Sequence, residues 1–288
     1  MKIYPVIHEY FKLDGGAMFG VVPKVIWQRT NPADEDNLIQ MAARSLLIEK
    51  DDKLILIDTG MGNKQSDKFF GYYKPRRINE LDKILNDLGY TKTDITDVVM
   101  THLHFDHCGG SVIRDAEGNL VPAFPNARYW TNEPHWKWAL NPNRREKASF
   151  LKENFVPLHQ ANVLHFIPVP DTGNRTSFPE LGMEFLFVNG HTEKQMIPII
   201  RHQGKTLVYM ADLLPTTGHI PLPYVMAYDV RPLITLDEKE AFLNEAADQG
   251  YYLFLEHDPQ TEVCTVKHTE KGVRLDKTFR LNEIFKPE

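Results

Sequence analysis

The sequence predicts an α/β protein made of two β-rich halves with helices between them, and two observations predict it. Short apolar, partly β-branched runs recur along the chain and alternate with stretches whose apolar residues fall three and four apart. A histidine-rich stretch, Thr101-His-Leu-His-Phe-Asp-His-Cys-Gly-Gly110, follows directly on one of the strand runs. It places His102, His104, Asp106 and His107 within six positions. Neutral imidazole nitrogens and a carboxylate oxygen suit zinc and similar divalent ions. So short a stretch does not easily wrap one tetrahedral ion. His102 and His104 therefore read as one pair and Asp106 and His107 as another, each on its own metal. A merely polar surface loop is the weaker reading, because loops are built chiefly from Gly, Pro, Ser, Asn and Asp.

Taken in order, residues 2–13 alternate loosely and form an opening strand. Residues 14–27 are a loop rich in glycine and large apolar side chains. It is either a buried connection or a pocket wall lined by Met18, Phe19, Val21, Val22 and Trp27. Residues 42–49 and 53–58 are apolar runs joined by Lys50-Asp51-Asp52, a hairpin deep in a sheet. Ile78, Leu81, Ile84, Leu85 and Leu88 share one face of a helix that Gly89 stops. Residues 96–100 form the strand leading into the histidine-rich loop, and Cys108-Gly109-Gly110 a tight turn leading out of it. Residues 127–130 are a strand. Asn132 can cap a helix carrying Trp136 and Trp138, with Pro134 in its first turn. Residues 148–158 read as a further helix. Strands follow at 183–188, 195–201 and 206–210, then a helix at 236–247 and a buried strand at 252–256. Strand signals at 262–268 and 272–281 close the chain, and no internal repeat is evident.

With 288 residues the chain could hold one large domain or two small ones. Its 42% apolar and 25% charged residues and its negative mean hydropathy are ordinary for a soluble globular protein. A formal charge of −6 argues against nucleic acid as the main partner, since phosphate binding needs a basic face. The two cysteines, Cys108 and Cys264, are too few for a disulfide framework, and Cys108 reads as a small packing residue. No run approaches the ~18 apolar residues of a membrane span. The first residues lack an uninterrupted apolar segment, which points to the cytoplasm; a leader already removed would leave no mark.

His102-x-His104-x-Asp106-His107 followed by Gly109-Gly110 resembles the signature of the metallo-β-lactamase superfamily. Downstream, Val188-Asn-Gly-His191-Thr192 resembles its Gly-His-Thr ligand segment, Tyr209-Met-Ala-Asp212 its bridging aspartate, and Leu255-Glu-His257-Asp258 its final histidine. The resemblance implies a four-layer αββα sandwich with the metal site at one edge between two sheets. It implies two zinc ions, one held by His102, His104 and His191, the other by Asp106, His107 and His257, with Asp212 and a hydroxide bridging them. That hydroxide would be the nucleophile. Asp58 resembles a family aspartate behind the metals, where a carboxylate accepts a ligand histidine's second N–H; a turn-forming aspartate is the alternative. Ligand candidates running from His102 to His257 make a single domain over residues 1–288 the expectation. Retention of His104, where di-iron redox relatives carry glutamate, favours hydrolysis over electron transfer.

Within that superfamily, the bridging aspartate in place of a cysteine sets β-lactamases aside. Glu193-Lys194 stand where glyoxalase II has Pro-Gly. The chain looks most like the lactonase and organophosphate-hydrolase branch, which implies a quorum-quenching lactonase opening N-acyl-homoserine lactones. A phosphotriesterase like methyl parathion hydrolase, or another ester hydrolase of this fold, is the alternative. A metal-bearing scaffold without turnover is disfavoured by the complete ligand set. Many acyl-homoserine lactonases place a substrate-binding tyrosine three residues after the bridging aspartate, but here that position is Pro215. Either His219, Tyr224 or Tyr228 supplies the hydrogen bond from further along the loop, or the substrate differs. The remaining histidines, at 8, 135, 159, 165, 202 and 268, read as ordinary surface or core residues. Relatives are often homodimers, and the same is expected here by analogy.

Overall fold

The computed structural model describes residues 1–78 and 80–285. Its contacts divide these into two compact units, residues 1–10 with 43–173, and residues 11–42 with 174–285. The first unit is built on a seven-stranded sheet in the order Arg76–Arg77, Lys2–Asp14, Leu38–Lys50, Lys53–Ile57, Asp97–Val99, Arg128–Thr131 and Leu164–Phe166. The far ends of Lys2–Asp14 and Leu38–Lys50 count with the second unit. From Lys53–Ile57 onwards the pairing is parallel. Parallel strands are covered on both faces and so read as continuous apolar runs. Leu54 to Ile57 and Asp97 to Val99 are accordingly all buried. Because they run the same way, these strands deliver Asp58, the 101–107 segment and Asn132 at one edge of the sheet. Buried Asp97 is held there by Arg128 at 2.8 Å and by the indole N–H of Trp130 at 2.8 Å. Leu56, Val98, Leu103, Tyr129 and Phe155 lie in the core of this unit, and Cys108 packs among them as a free thiol.

The second unit holds the sheet Arg175–Phe178, Met183–Val188, Gln195–His202, Lys205–Tyr209, Tyr252–Phe254, Val263–Thr269 and Gly272–Phe279. All neighbours are antiparallel except Lys205–Tyr209 and Tyr252–Phe254, which are parallel. Their crossover carries the helix Pro232–Gln249, opened by Pro232 and closed by Gly250 in the left-handed conformation at φ 66°. Met183–Val188 lies two antiparallel steps from Lys205–Tyr209 and so runs in the same direction. Three strands therefore end at one edge, and the residues that follow them are His191, Asp212 and His257.

The two sheets with their helices are the components of the expected sandwich, and most strands fall within one or two residues of expectation. The histidine-rich stretch differs: Phe105–Cys108 makes a helical turn that runs into a 3-10 turn at Gly109–Ser111. Residues 14–27 also contain two helical turns, Gly15–Phe19, capped by Asp14 on the Ala17 N–H, and Lys24–Trp27. The helix expected at 148–158 is absent; Lys152–Asn154 and Val156–Gln160 are separate turns. Pro157 explains this, since proline lacks an amide donor and clashes with the preceding turn, so a helix can begin at it but not run through it. The helix predicted from Ile78 spans Glu80–Asp87, and Asn79 lies outside the described residues. The helix expected at 236–247 is longer, because Pro232 is a first-turn residue rather than a breaker. Among the described residues no helix is long and apolar enough to cross a membrane.

Candidate metal centre

In the first unit the segment carrying the candidate ligands is anchored by Asp58. This residue sits in the left-handed region at φ 58°, and its carboxylate accepts from the Thr101 N–H at 2.8 Å and the Thr101 hydroxyl at 2.7 Å. It also lies 3.2 Å from His107 Nδ1, where a carboxylate can hold that ring from behind. His102 Nδ1 is 3.1 Å from the Thr101 hydroxyl, and His104 Nε2 is 3.0 Å from the Glu146 carboxylate. With those nitrogens engaged, His102 and His107 present Nε2 for ligation and His104 presents Nδ1. His102 and His104 bring ligand atoms within 4.8 Å of one another, and so do Asp106 and His107. All four side chains are buried.

Gly109 and Gly110 lie against the backbone of Met61 and Thr59, and a Cβ on either would overlap a carbonyl oxygen. The Thr59 N–H donates to the His107 carbonyl at 2.7 Å across this contact. The Gly-Gly pair is thus a site of close chain approach. Two supports of the ligand segment went unread in the sequence. The Leu103 N–H donates to His135 Nε2 at 2.8 Å, and the Phe105 N–H to the Ser149 carbonyl at 3.0 Å. Phe105, between His104 and Asp106, also meets the rings of Phe69 and Tyr73 at 5.2 and 4.7 Å. Burial, and then the charge of Asp106, push the Tyr73 hydroxyl up to about 12.

In the second unit Asp212 turns one carboxylate oxygen to each of two imidazoles: Oδ2 is 3.0 Å from His191 Nε2 and Oδ1 is 3.2 Å from His257 Nε2. Such a divergence would let one carboxylate serve two cations. The other ring nitrogens are held from behind, His191 Nδ1 by Asp229 at 2.8 Å and His257 Nδ1 by the Ala42 carbonyl at 2.8 Å. Asp212 follows Ala211, which is left-handed at φ 41°, a conformation costing a non-glycine residue about 1 kcal/mol or more. The Gln195 amide oxygen, oriented by its neighbours, accepts from the Asp212 N–H at 2.8 Å and holds that geometry. Gly190 packs so closely on Thr235 that a side chain would not fit. Burial alone would lower the pKa of His191, but the charges of Asp212 and Asp229 outweigh it and raise it to about 10. Carboxylates so placed favour positive charge at His191, and buried imidazoles with carboxylates are donors that zinc accepts.

His219 is buried, and both ring nitrogens are engaged within the chain, Nδ1 with the Thr216 hydroxyl at 2.8 Å and Nε2 with the Met18 carbonyl at 2.9 Å. Burial pushes its pKa down to about 4, keeping the ring neutral. It stacks on Phe19 at 4.3 Å, Phe19 stacks on Trp27 at 5.3 Å, and Tyr224 meets the edge of Phe19 at 6.3 Å. Met18, Phe19 and Trp27 are packed inside the second unit, while Val21 is 94% exposed and Tyr228 39%.

The chain matches the metallo-beta-lactamase superfamily model over residues 40–257. It is 23% identical over 253 residues to the N-acyl homoserine lactonase AiiA of Bacillus thuringiensis subsp. kurstaki, an alignment covering 83% of this chain and 80% of that one. A probable metal-dependent hydrolase from Staphylococcus aureus has a similar structure, with a TM-score of 0.85 at 30% identity over 96% of each chain. AidC, a dizinc quorum-quenching lactonase, matches with a TM-score of 0.75 at 23% identity over 96% of this chain and 95% of its own. The family match takes in every candidate donor from His102 to His257, and the chain belongs to the metallo-β-lactamase superfamily, has its fold, and is a metal-dependent hydrolase.

Proposed function

We propose that this protein is a dinuclear zinc lactonase that opens the ring of N-acyl-homoserine lactones, a quorum-quenching activity. In this reading, as the family resemblance implies, a single domain holds His102, His104 and His191 on one ion, Asp106, His107 and His257 on the other, with Asp212 shared. Two divalent ions in such a site lower the pKa of water towards ~7 and polarise a carbonyl oxygen. The chain's part is to hold its imidazoles in the ligating tautomer from behind, through Asp58, Glu146, Asp229 and the Ala42 carbonyl. The observation that carries the reading is Asp212, with one oxygen at each of two buried histidines. Relatives named N-acyl homoserine lactonase support the substrate class. So does the aromatic group Phe69, Tyr73 and Phe105 beside Asp106, an apolar surface suited to an acyl chain.

Tyr224 and Tyr228 are the candidates for hydrogen-bonding the substrate, because both nitrogens of His219 are engaged, Nδ1 with Thr216 in its own loop and Nε2 with the Met18 carbonyl. Met18, Phe19 and Trp27 would back that loop, with Val21 towards solvent. Pro215, where many lactonases have tyrosine, keeps a phosphotriesterase as the second reading. We also propose a homodimer, by analogy with relatives, located in the cytoplasm. The test is kcat/KM of the zinc-loaded enzyme on a long-chain acyl-homoserine lactone and on a phosphotriester. A lactone value of about 10⁴ M⁻¹s⁻¹ or more, well above the phosphotriester, is expected. The reverse order would replace the reading by the second.

A further inference from the structure

The segment 132–150 grips three consecutive residues of the metal-ligand stretch. His135 Nε2 accepts from the Leu103 N–H at 2.8 Å, the Ser149 carbonyl accepts from the Phe105 N–H at 3.0 Å, and between them Glu146 Oε1 lies 3.0 Å from His104 Nε2. We infer that Glu146 is a positioning residue for one metal ion, fixing the tautomer and raising the basicity of His104 so that the bound ion is held more tightly.

The carboxylate is built into its place. Asn132 caps the helix Glu133–Leu140 by accepting from the His135 N–H at 2.9 Å, and the chain then turns at Asn143. The Asn143 side-chain oxygen accepts from the N–H groups of Arg145 and Glu146 at 2.9 and 3.0 Å, which aims Glu146 inwards. Its Oε2 accepts from the Trp138 indole N–H at 2.7 Å and the Asn143 amide at 3.0 Å. Glu146 is 4% exposed, so its charge faces His104 through little solvent. The ring of His104 is further boxed by Phe150, with centroids 4.7 Å apart.

His104 differs from the other four candidate imidazoles. His102, His107, His191 and His257 each engage Nδ1 behind the site, whereas His104 engages Nε2. A carboxylate on Nε2 keeps the proton there and leaves the Nδ1 lone pair for the ion. Outer carboxylates of this kind contribute about 10–100-fold to metal affinity.

The inference rests on the metal-centre reading but not on the substrate. The experiment is stepwise Zn²⁺ affinity of the full chain by chelator competition, in the wild type and in Glu146→Gln, with the thermal midpoint of the metal-free proteins alongside. Glu146→Gln keeps an acceptor of the same shape and removes the charge. One of the two dissociation constants is expected to rise about 10–100-fold, the other to change less than threefold, and the metal-free midpoint to hold. Two unchanged constants would overturn the inference. So would two constants weakened equally with a lowered midpoint, which would make Glu146 part of the fold only. If the variant does not fold, long-range ¹⁵N spectra of the zinc-loaded wild type decide instead. His104 is expected to be protonated on Nε2; protonation on Nδ1 overturns the assignment. Wild-type protein that binds fewer than two zinc ions would defeat the dinuclear reading itself, whatever the lactone assay shows.

Discussion

Asp229 Oδ1 lies 2.8 Å from His191 Nδ1, and both residues are buried. The pair fixes the proton on Nδ1 and turns Nε2 towards Asp212, 3.0 Å away. Asp229→Asn keeps the shape but removes the charge, and an amide oriented the wrong way would turn a donor on His191. We expect zinc affinity at one site to fall about 10–100-fold, read by chelator competition. kcat at saturating zinc should fall less.

Lys239 should control the mobility of the loop that follows Asp212. Its side chain is buried, and its ammonium group donates to the carbonyls of His219, Pro221 and Tyr224 at 3.0, 3.3 and 2.9 Å. The same loop holds Met18 through His219 and receives Phe19 against its ring, while the Ala227 N–H donates to the Ala17 carbonyl. Lys239→Met would leave these carbonyls without that donor, at about 1–3 kcal/mol for each that water does not reach. Amide exchange in residues 15–27 and 216–227 should quicken beyond the change seen in the strands, and KM should rise more than kcat falls. Exchange unchanged in both segments would show that stacking alone holds the loop.

How much of this was legible in the sequence depends on distance along the chain. His102, His104, Asp106 and His107 fall within six positions of one another, and strand ends before His191, Asp212 and His257 carry local apolar signals. The groups that orient them have no such pattern. Asp229 acts from 38 residues beyond His191, and Glu146 from 42 beyond His104. His135 reads from the sequence as an ordinary histidine in the helix that Asn132 caps, and nothing about it points to Leu103. The helix expected at 148–158 is instead two separate turns, Lys152–Asn154 and Val156–Gln160, because Pro157 interrupts the backbone hydrogen bonding whatever the pattern around it.

Glu9 supplies a pH signature. It is 2% exposed, and burial raises its carboxyl to about 7, against the opposing pull of the Met61 N–H and Arg77. A folded pKa above the ordinary 4.5 means a contribution to stability that is full below pH 4.5 and lost as pH rises through about 7. His219 works the other way. With a folded pKa of about 4, its contribution is full above pH 6.5 and lost as pH falls through 4. Comparing wild type with Glu9→Gln cancels the histidine. In metal-free protein the variant should gain about 3 kcal/mol on the wild type between pH 4 and pH 8, measured by urea unfolding. A constant difference across that range would show that the Glu9 carboxyl titrates alike folded and unfolded.

Asp212→Asn is the sharpest test of the shared carboxylate. The Asp212 N–H is held by Gln195, and the strand Lys205–Tyr209 before it is locked between two neighbours, so the backbone does not depend on the side-chain charge. An amide of the same shape can offer only one oxygen, and its NH₂ group would face either His191 or His257 Nε2. A site with one fewer negative charge also opposes the repulsion between two cations less well. We expect the variant to fold with an unchanged far-ultraviolet circular dichroism spectrum, to bind one zinc ion much more weakly, and to lose at least about 10³-fold in kcat. Retention of full turnover would move the reacting centre away from Asp212. Loss of turnover with both ions bound at wild-type affinity would assign Asp212 to the reaction rather than to holding the metals.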